Sequence, residues 1–234
     1  MSEWTMKRFW TKVSVVESAE GFAVTLDTRP VKTPAKRALV LPTRAVAECV
    51  AAEWEAQEKT VDPAAMPWTR SANAAIDKVA SQRAEVVAHL AEYAGSDLLC
   101  YRAEGPDGLV ARQAKNWDSL LDWASDTYGG RLAVTYGVMP IEQSKRDVAA
   151  LGAAMQPMSN FQLTGFHDLV TLSGSFVIGL AATANHLPAE SLWDLSRLDE
   201  DWQIEQWGAD EEASEHAALK KAAFLHAREV YHLS

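Results

Sequence analysis

Apolar and polar positions near the start of the chain predict β-structure. Two runs rich in β-branched residues, Val13–Glu17 and Phe22–Asp27, are separated by Ser18–Gly21, which is typical of a hairpin turn. A second turn signal at Asp27–Pro30 leads into further short extended pieces that prolines interrupt. This part of the chain is therefore expected to form a hairpin and additional short strands.

Helical spacing of apolar residues begins after these strands. Val46, Val50 and Trp54 recur on one face behind Thr43, a good N-cap, and predict a helix that ends near Lys59. Short extended segments are expected at 98–101 and 131–136. The same reasoning predicts helices over these segments: Thr69–Val79, Gln82–Tyr93, Val110–Tyr128, Glu142–Met155, Phe161–Ala184, Ala189–Gln206 and Asp210–His232.

Strands early and helices late predict an α+β fold. We expect a small, β-rich N-terminal α+β domain over residues 1–104 and an all-α helical C-terminal domain over residues 105–234. Small residues in Ser173–Gly179 permit close approach of another helix. That helix would belong either to the protein itself or to a partner.

Composition restricts the classes of function. The chain of 234 residues is 48% hydrophobic and 23% charged, as is ordinary for a soluble globular protein. A net charge of −10 argues against non-specific nucleic-acid binding, which needs a basic face. The longest apolar run, Leu169–Ala184, is shorter than the roughly 20 residues that span a bilayer. With no secretory signal and with Cys49 and Cys100 expected to be reduced thiols, we expect a cytoplasmic protein without membrane insertion.

Motifs for catalysis or cofactor binding are absent from the sequence. It has no Gly-rich phosphate loop, no nucleophile elbow and no Cys-x-x-Cys. Glu212 and His216, one helical turn apart, are a weak metal pair, and a solvated helix face explains them better. The motifs therefore give no positive sign of an enzyme or a cofactor, and we expect no metal. The alternative is an enzyme with an active site outside known motifs, in a cleft between the domains and lined by these residues: Arg70, Asn73, Asp77 and His89.

An acidic stretch with two tryptophans is the most unusual part of the sequence. Between Asp199 and Glu215 there are eight carboxylates and no Lys or Arg. Leu198, Trp202 and Glu205 fall near one helix face, so Glu205 is expected to be partly buried and to need a cationic or donor partner.

The ends of two helices account for part of this pattern. Gly208 is expected to end the first helix as a C-cap. Asp210, Glu211 and Glu212 then open the next helix, where carboxylates favour the positive end of the helix dipole. These roles leave Asp199, Glu200 and Asp201 unexplained, and the stretch therefore predicts a surface that meets a protein partner.

Several segments form an ordered set that is spread over nearly the whole chain, although no single one is diagnostic. They are Arg8–Val13, Leu26–Pro34, Ala52–Gln57, Met66–Thr69, Ala75–Asp77, Asp97–Arg102, Gln113 with Trp117, and Asp199–Gly208. Taken together, they resemble the family of assembly chaperones that act on the α subunit of the F1 part of ATP synthase. The chain departs from the family pattern at Gly174, where a Lys is frequent, and after Gly208.

The resemblance implies a function without catalysis. Members of this family are thought to hold the unassembled α subunit soluble until the β subunit replaces it. A functionally important Glu of the family corresponds best to Glu205, with Glu211 or Glu212 as rivals. Trp202 and Trp207 are expected to anchor the partner, and the protein is expected to act as a monomer without a cofactor.

Overall fold

The computed structural model describes residues 7–234. Their strands form a four-stranded antiparallel sheet and a two-stranded parallel pair. In the larger sheet β2 pairs with β1 on one side and with β3 and β4 on the other. The strands are β1 (Val13–Ser18), β2 (Gly21–Leu26), β3 (Arg29–Pro30), β4 (Val40–Leu41), β5 (Tyr101–Arg102) and β6 (Thr135–Tyr136).

The predicted hairpin is confirmed by the register of β1 and β2, which pairs Val13 with Leu26 and Ser18 with Gly21. Gly21 has φ of +145°, and a Cβ built there would lie 2.4 Å from the carbonyl oxygen of Leu41. Only glycine fits this close approach between β2 and β4.

The described residues also form ten α-helices, which together with the strands confirm the predicted α+β fold. They are α1 (Arg44–Glu55), α2 (Pro67–Ala74), α3 (Arg83–Gly95), α4 (Asp107–Tyr128), α5 (Lys145–Gly152), α6 (Asn160–Ser173), α7 (Phe176–Thr183), α8 (Ala189–Ser196), α9 (Leu198–Trp207) and α10 (Glu211–Leu233). Thr43 caps α1 as predicted, since its hydroxyl accepts a hydrogen bond from the Val46 amide at 3.2 Å. The helix ends at Glu55, earlier than predicted.

Two predicted helices are each divided in the structure. The segment 161–184 forms α6 and α7, because Gly174 adopts φ of +71° and the Ser175 hydroxyl caps the new helix at the Ile178 amide, 3.0 Å away. The segment 189–206 forms α8 and α9, which meet at Arg197. A hydrophobic pattern that runs through both halves conceals such a break.

The prediction of a strand at 98–101 is wrong for most of its length. Residues Leu98–Cys100 form a 3-10 turn, and β5 begins only at Tyr101. The turn forms because the Asp97 carboxylate accepts a hydrogen bond from the Leu99 amide at 2.9 Å.

Contacts group the described residues into two compact units. One contains the chain up to Arg83 together with Ser159–Thr164 and Glu229–Ser234, and the other contains Ala84–Met158 and Gly165–Arg228. The first unit, called unit 1, has its core between the larger sheet and α1, where Trp10 meets Trp54 edge-on at 5.3 Å. The predicted boundary between an N-terminal domain (1–104) and a C-terminal domain (105–234) stays a prediction, because it concerns which parts of the chain fold independently.

The second unit, called unit 2, is built around α7. Every residue from Phe176 to Ala182 is buried, and the helix contacts α4 and α8. A Cβ at Gly179 would lie 2.7 Å from Cγ2 of Val170 on α6. The small residues noted in the sequence therefore serve packing inside this unit.

Among the described residues, no helix combines the length and the apolar character that crossing a membrane requires. Cys49 and Cys100 are both free thiols. Burial raises the pKa of the Cys100 thiol to about 12.

A buried carboxylate connects two segments of unit 2. Asp97 is fully buried and accepts hydrogen bonds from the Leu99 amide and, at 3.0 Å, from the Val177 amide in the first turn of α7. Burial raises its pKa to about 6 in spite of these donors. The charged form thus costs free energy in the folded state, although its hydrogen bonds order the start of α7.

The Asp97→Asn variant tests this pKa. Because the folded-state pKa exceeds the ordinary value of 3.8, the contribution of Asp97 to stability is greatest below pH 4 and is lost as the pH rises through 6. The unfolding free energy of the parent minus that of the variant should fall by about 3 kcal/mol between pH 3.5 and pH 7. Urea unfolding across this range measures it. A difference that grows with pH would mean that the carboxylate is stabilised, not penalised, by its surroundings.

Candidate partner-binding surface

The two tryptophans of the acidic stretch lie in different environments on α9. Leu198 at the start of the helix is buried and Trp202 is half-buried. From Gln203 onward every side chain of α9 is exposed, and Trp207 at its end is 79% exposed. Gly208 ends the helix as predicted, with φ of +92° and its amide bonded to the Ile204 carbonyl.

Trp202 packs against the first turns of α4. The guanidinium carbon of Arg112 lies 4.7 Å from the Trp202 ring centre, a cation–π contact. Gly108, one turn earlier on α4, leaves room for the ring, since a Cβ there would lie 2.8 Å from Cη2 of Trp202. The absence of a side chain at Gly108 thus allows Trp202 to lie beside Arg112.

Glu205 has the cationic partner that its position on the helix predicts. The two terminal guanidinium nitrogens of Arg112, Nη1 and Nη2, each donate a hydrogen bond to one carboxylate oxygen of Glu205, at 2.8 Å. This hydrogen bonding lowers the pKa of Glu205 and raises that of Arg112. Half of the Glu205 side chain (50%) stays accessible, because it lies at the exposed end of α9.

Other carboxylates of the stretch also have partners. Asp199 accepts a hydrogen bond from the Gln113 side chain at 2.7 Å, and Glu200 pairs with Arg197 at 2.7 Å. Burial raises the pKa of Asp201. The stretch itself contains no Lys or Arg, and the cationic partners of Glu200 and Glu205 are Arg197 and Arg112, which precede it in the sequence. The sequence carries no signal for the pairing of Arg112 with Glu205.

The start of α10 presents a second group of carboxylates. Asp210 caps the helix by accepting from the Ala213 amide at 2.8 Å. Glu211, Glu212 and Glu215 are exposed, and no residue in the described chain forms an ion pair with them. We name residues Ile204–Glu215 the α9–α10 corner. It joins an exposed tryptophan to carboxylates that are not neutralised by the protein itself.

Two of the residues predicted to line an alternative active site, Asp77 and His89, contact other side chains or the backbone of the protein. Asp77 accepts hydrogen bonds from the Thr33 hydroxyl at 2.8 Å and from the Ala35 amide at 3.0 Å. His89 lies 3.6 Å from Glu92 and edge-on to Tyr93. Within residues 7–234, no group of three His, Cys, Asp or Glu side chains is placed to hold a metal ion. Glu212 and His216 are therefore not part of such a group.

A groove in unit 2 provides about 580 Å³ between α3 and α5. Its walls are mainly small apolar residues such as Ala91, Gly95 and Gly152, and Glu142 and Lys145 are its ionisable groups. These residues do not form a nucleophile with a base, nor a pair of acids.

Comparisons with known proteins agree on one family. A family described as "ATP12 chaperone protein" matches residues 7–125. The mitochondrial protein atp12 of Schizosaccharomyces pombe is 23% identical over 223 residues, which cover 90% of this chain and 77% of that protein. A mutant form of Atp12p from Paracoccus denitrificans has a TM-score of 0.94 with 46% identity and covers 99% of both chains. A protein from Agrobacterium tumefaciens has a TM-score of 0.93 with 41% identity, over 97% of this chain and 85% of that one.

The Gly108→Ala variant tests the packing of Trp202. Alanine in a helix ordinarily stabilises relative to glycine, but here the added methyl group must displace the ring. We expect the unfolding free energy to fall by about 1 kcal/mol, as for an overpacked site. Gly95→Ala is the matched control, because a Cβ there has no neighbour within 4 Å. Equal unfolding free energies in urea for the two variants would contradict the contact.

Proposed function

The chain belongs to the ATP12 chaperone family, and from this membership we propose that it binds the unassembled α subunit of F1-ATPase without using ATP. It keeps that subunit from aggregating until the β subunit takes its place. The observation that supports this proposal in the molecule is the α9–α10 corner, where Trp207 is 79% exposed beside carboxylates without partners.

The corner has the composition of a protein-binding surface. Large aromatic side chains that become buried on binding provide most of the affinity of an interface, and Trp207 is placed to do so. Ile204 lies one turn before it and is 39% exposed, so the two side chains share a face of α9. Together they offer an apolar contact that the protein's own core does not use.

Charge gives the surface its selectivity. Glu211 and Glu212 lie in the first turn of α10, where they attract a basic region on the partner and speed the encounter. Trp202 and Glu205 complete the proposed site at the base of the same corner. Association should therefore slow as salt screens these charges.

We propose that the protein acts as a monomer, with no chemical step, cofactor or metal. An exchange of partners is sufficient: the β subunit must cover the same region of the α subunit more tightly than the chaperone does. Release then requires no energy source other than subunit assembly.

Co-purification with single subunits tests the function. A tagged form of the chain, expressed with the α subunit of the same organism's F1-ATPase, should retain that subunit at low salt. Adding the β subunit should release it, and the β subunit alone should not be retained. Absence of a complex with the α subunit at low salt would refute the proposal.

Variants of the corner test the site. Trp207→Ala should raise the Kd for the α subunit by about 30-fold, as for a hot-spot residue. The pair Glu211→Gln with Glu212→Gln should mainly slow association and reduce its salt dependence. Met139→Ala, also at a highly exposed apolar residue (72%), is the control and should bind like the parent. Parent-like affinity of all variants would place the binding surface elsewhere.

A further inference from the structure

We propose that Arg112 is a positioning residue for the partner-binding surface. It orients the exposed end of α9 through Trp202 and Glu205, so that Glu205 acts on binding through Arg112 and not by touching the partner. The part of this inference that concerns binding rests on the proposed function, whereas the part that concerns α9 is a property of the protein alone.

The contacts of Arg112 occupy the groups that a partner would otherwise use. Its guanidinium forms a fork with both oxygens of Glu205, at 2.8 Å each, and one face of it lies over the Trp202 ring at 4.7 Å. A carboxylate with both oxygens in such a fork has reduced capacity for a second cation. Glu205 is thus the least available carboxylate of the corner, although its position suggests a direct contact.

The side chains of α9 become more exposed and make fewer contacts toward the end of the helix. Its start is fixed by buried Leu198 and by the hydrogen bond from Gln113 to Asp199. Beyond Trp202 all of its side chains are exposed, and among the described residues the pair of Arg112 with Glu205 is the last side-chain ion pair or hydrogen bond on the helix before Trp207. A helix end without tertiary contacts frays, so this pair sets how well Trp207 is ordered.

The base of this arrangement is rigid. Arg112 and Gln113 are adjacent on α4, and the following turns of α4 are buried through Trp117, Leu120 and Ala124. Trp117 also donates its indole N–H to the Leu195 carbonyl at 2.9 Å, which fixes the end of α8 just before α9 begins. Arg112 therefore extends from a well-packed helix to one whose end is exposed.

The pair is too exposed to be explained by the stability of the fold. The side chains of Arg112 and Glu205 are 35% and 50% accessible, and exposed ion pairs contribute little to global unfolding. The planar fork nonetheless fixes direction, which a lysine at the same place cannot do because it offers a single charged nitrogen.

Amide hydrogen exchange on the isolated protein is the first test. In Arg112→Gln, exchange should become faster across residues 203–207 and stay unchanged in α7, while the unfolding temperature stays close to that of the parent. Glu205→Gln should have the same effect, and combining the two should add nothing, because both remove one interaction. Parent-like exchange in α9 of Arg112→Gln would overturn the inference, whatever the protein binds.

Binding to the F1-ATPase α subunit separates positioning from direct contact. We expect Arg112→Gln and Glu205→Gln to weaken binding by the same factor, about tenfold, through faster dissociation and with an unchanged salt dependence of association. Arg112→Lys should recover only part of this loss. The double reversal Arg112→Glu with Glu205→Arg should bind better than either reversal alone.

A direct contact between Glu205 and the partner gives the opposite results. Glu205→Arg would then repel a basic partner whether or not Arg112 is reversed, and Arg112→Gln would bind like the parent. Those results would overturn the inference and leave the proposed function intact. Absence of any binding by the parent would refute the proposed function, and the exchange measurement would still decide whether Arg112 positions α9.

Discussion

Burial of an entirely apolar helix is the constraint on which unit 2 depends. Helix α7 has no polar face, so its first amide groups must find acceptors within the protein interior. The Ser175 hydroxyl and the Asp97 carboxylate supply them at the amides of Ile178 and Val177. Burial of Asp97 disfavours its charged form, and this desolvation is the reason for its raised pKa.

The arrangement of the proposed binding region follows from this burial. Helix α4 contacts α7 and is long enough, at 22 residues, to extend beyond it. Its buried residues hold it in place, and its first turns carry Gly108, Arg112 and Gln113 toward α9. The proposed binding corner, with its exposed Trp207, is thereby attached to a well-packed helix, and such an attachment would lower the entropy lost on binding.

The carboxylates of the acidic stretch divide into two groups by their contacts. Asp199, Glu200 and Glu205 are used inside the protein, where each has a hydrogen-bonding partner. The carboxylates at the start of α10 favour the helix dipole and otherwise face solvent. Both groups are equally acidic in the sequence, but we propose that only the second group attracts a partner.

Local patterns in the sequence determined the elements whose contacts are short in range. These include the β1–β2 hairpin, the cap of α1 at Thr43, the end of α9 at Gly208 and the α+β order of the chain, because turns, caps and periodicity act over a few residues. The break at Gly174 has local causes, the positive φ of the glycine and the Ser175 cap, although the apolar pattern that continues through it conceals them. Tertiary structure decided the break at Arg197, where the pattern also continues although the backbone turns. It also decided that Trp202 is covered and Trp207 is not, since the residue that covers Trp202 is Arg112, which is distant in sequence and near only in the folded protein.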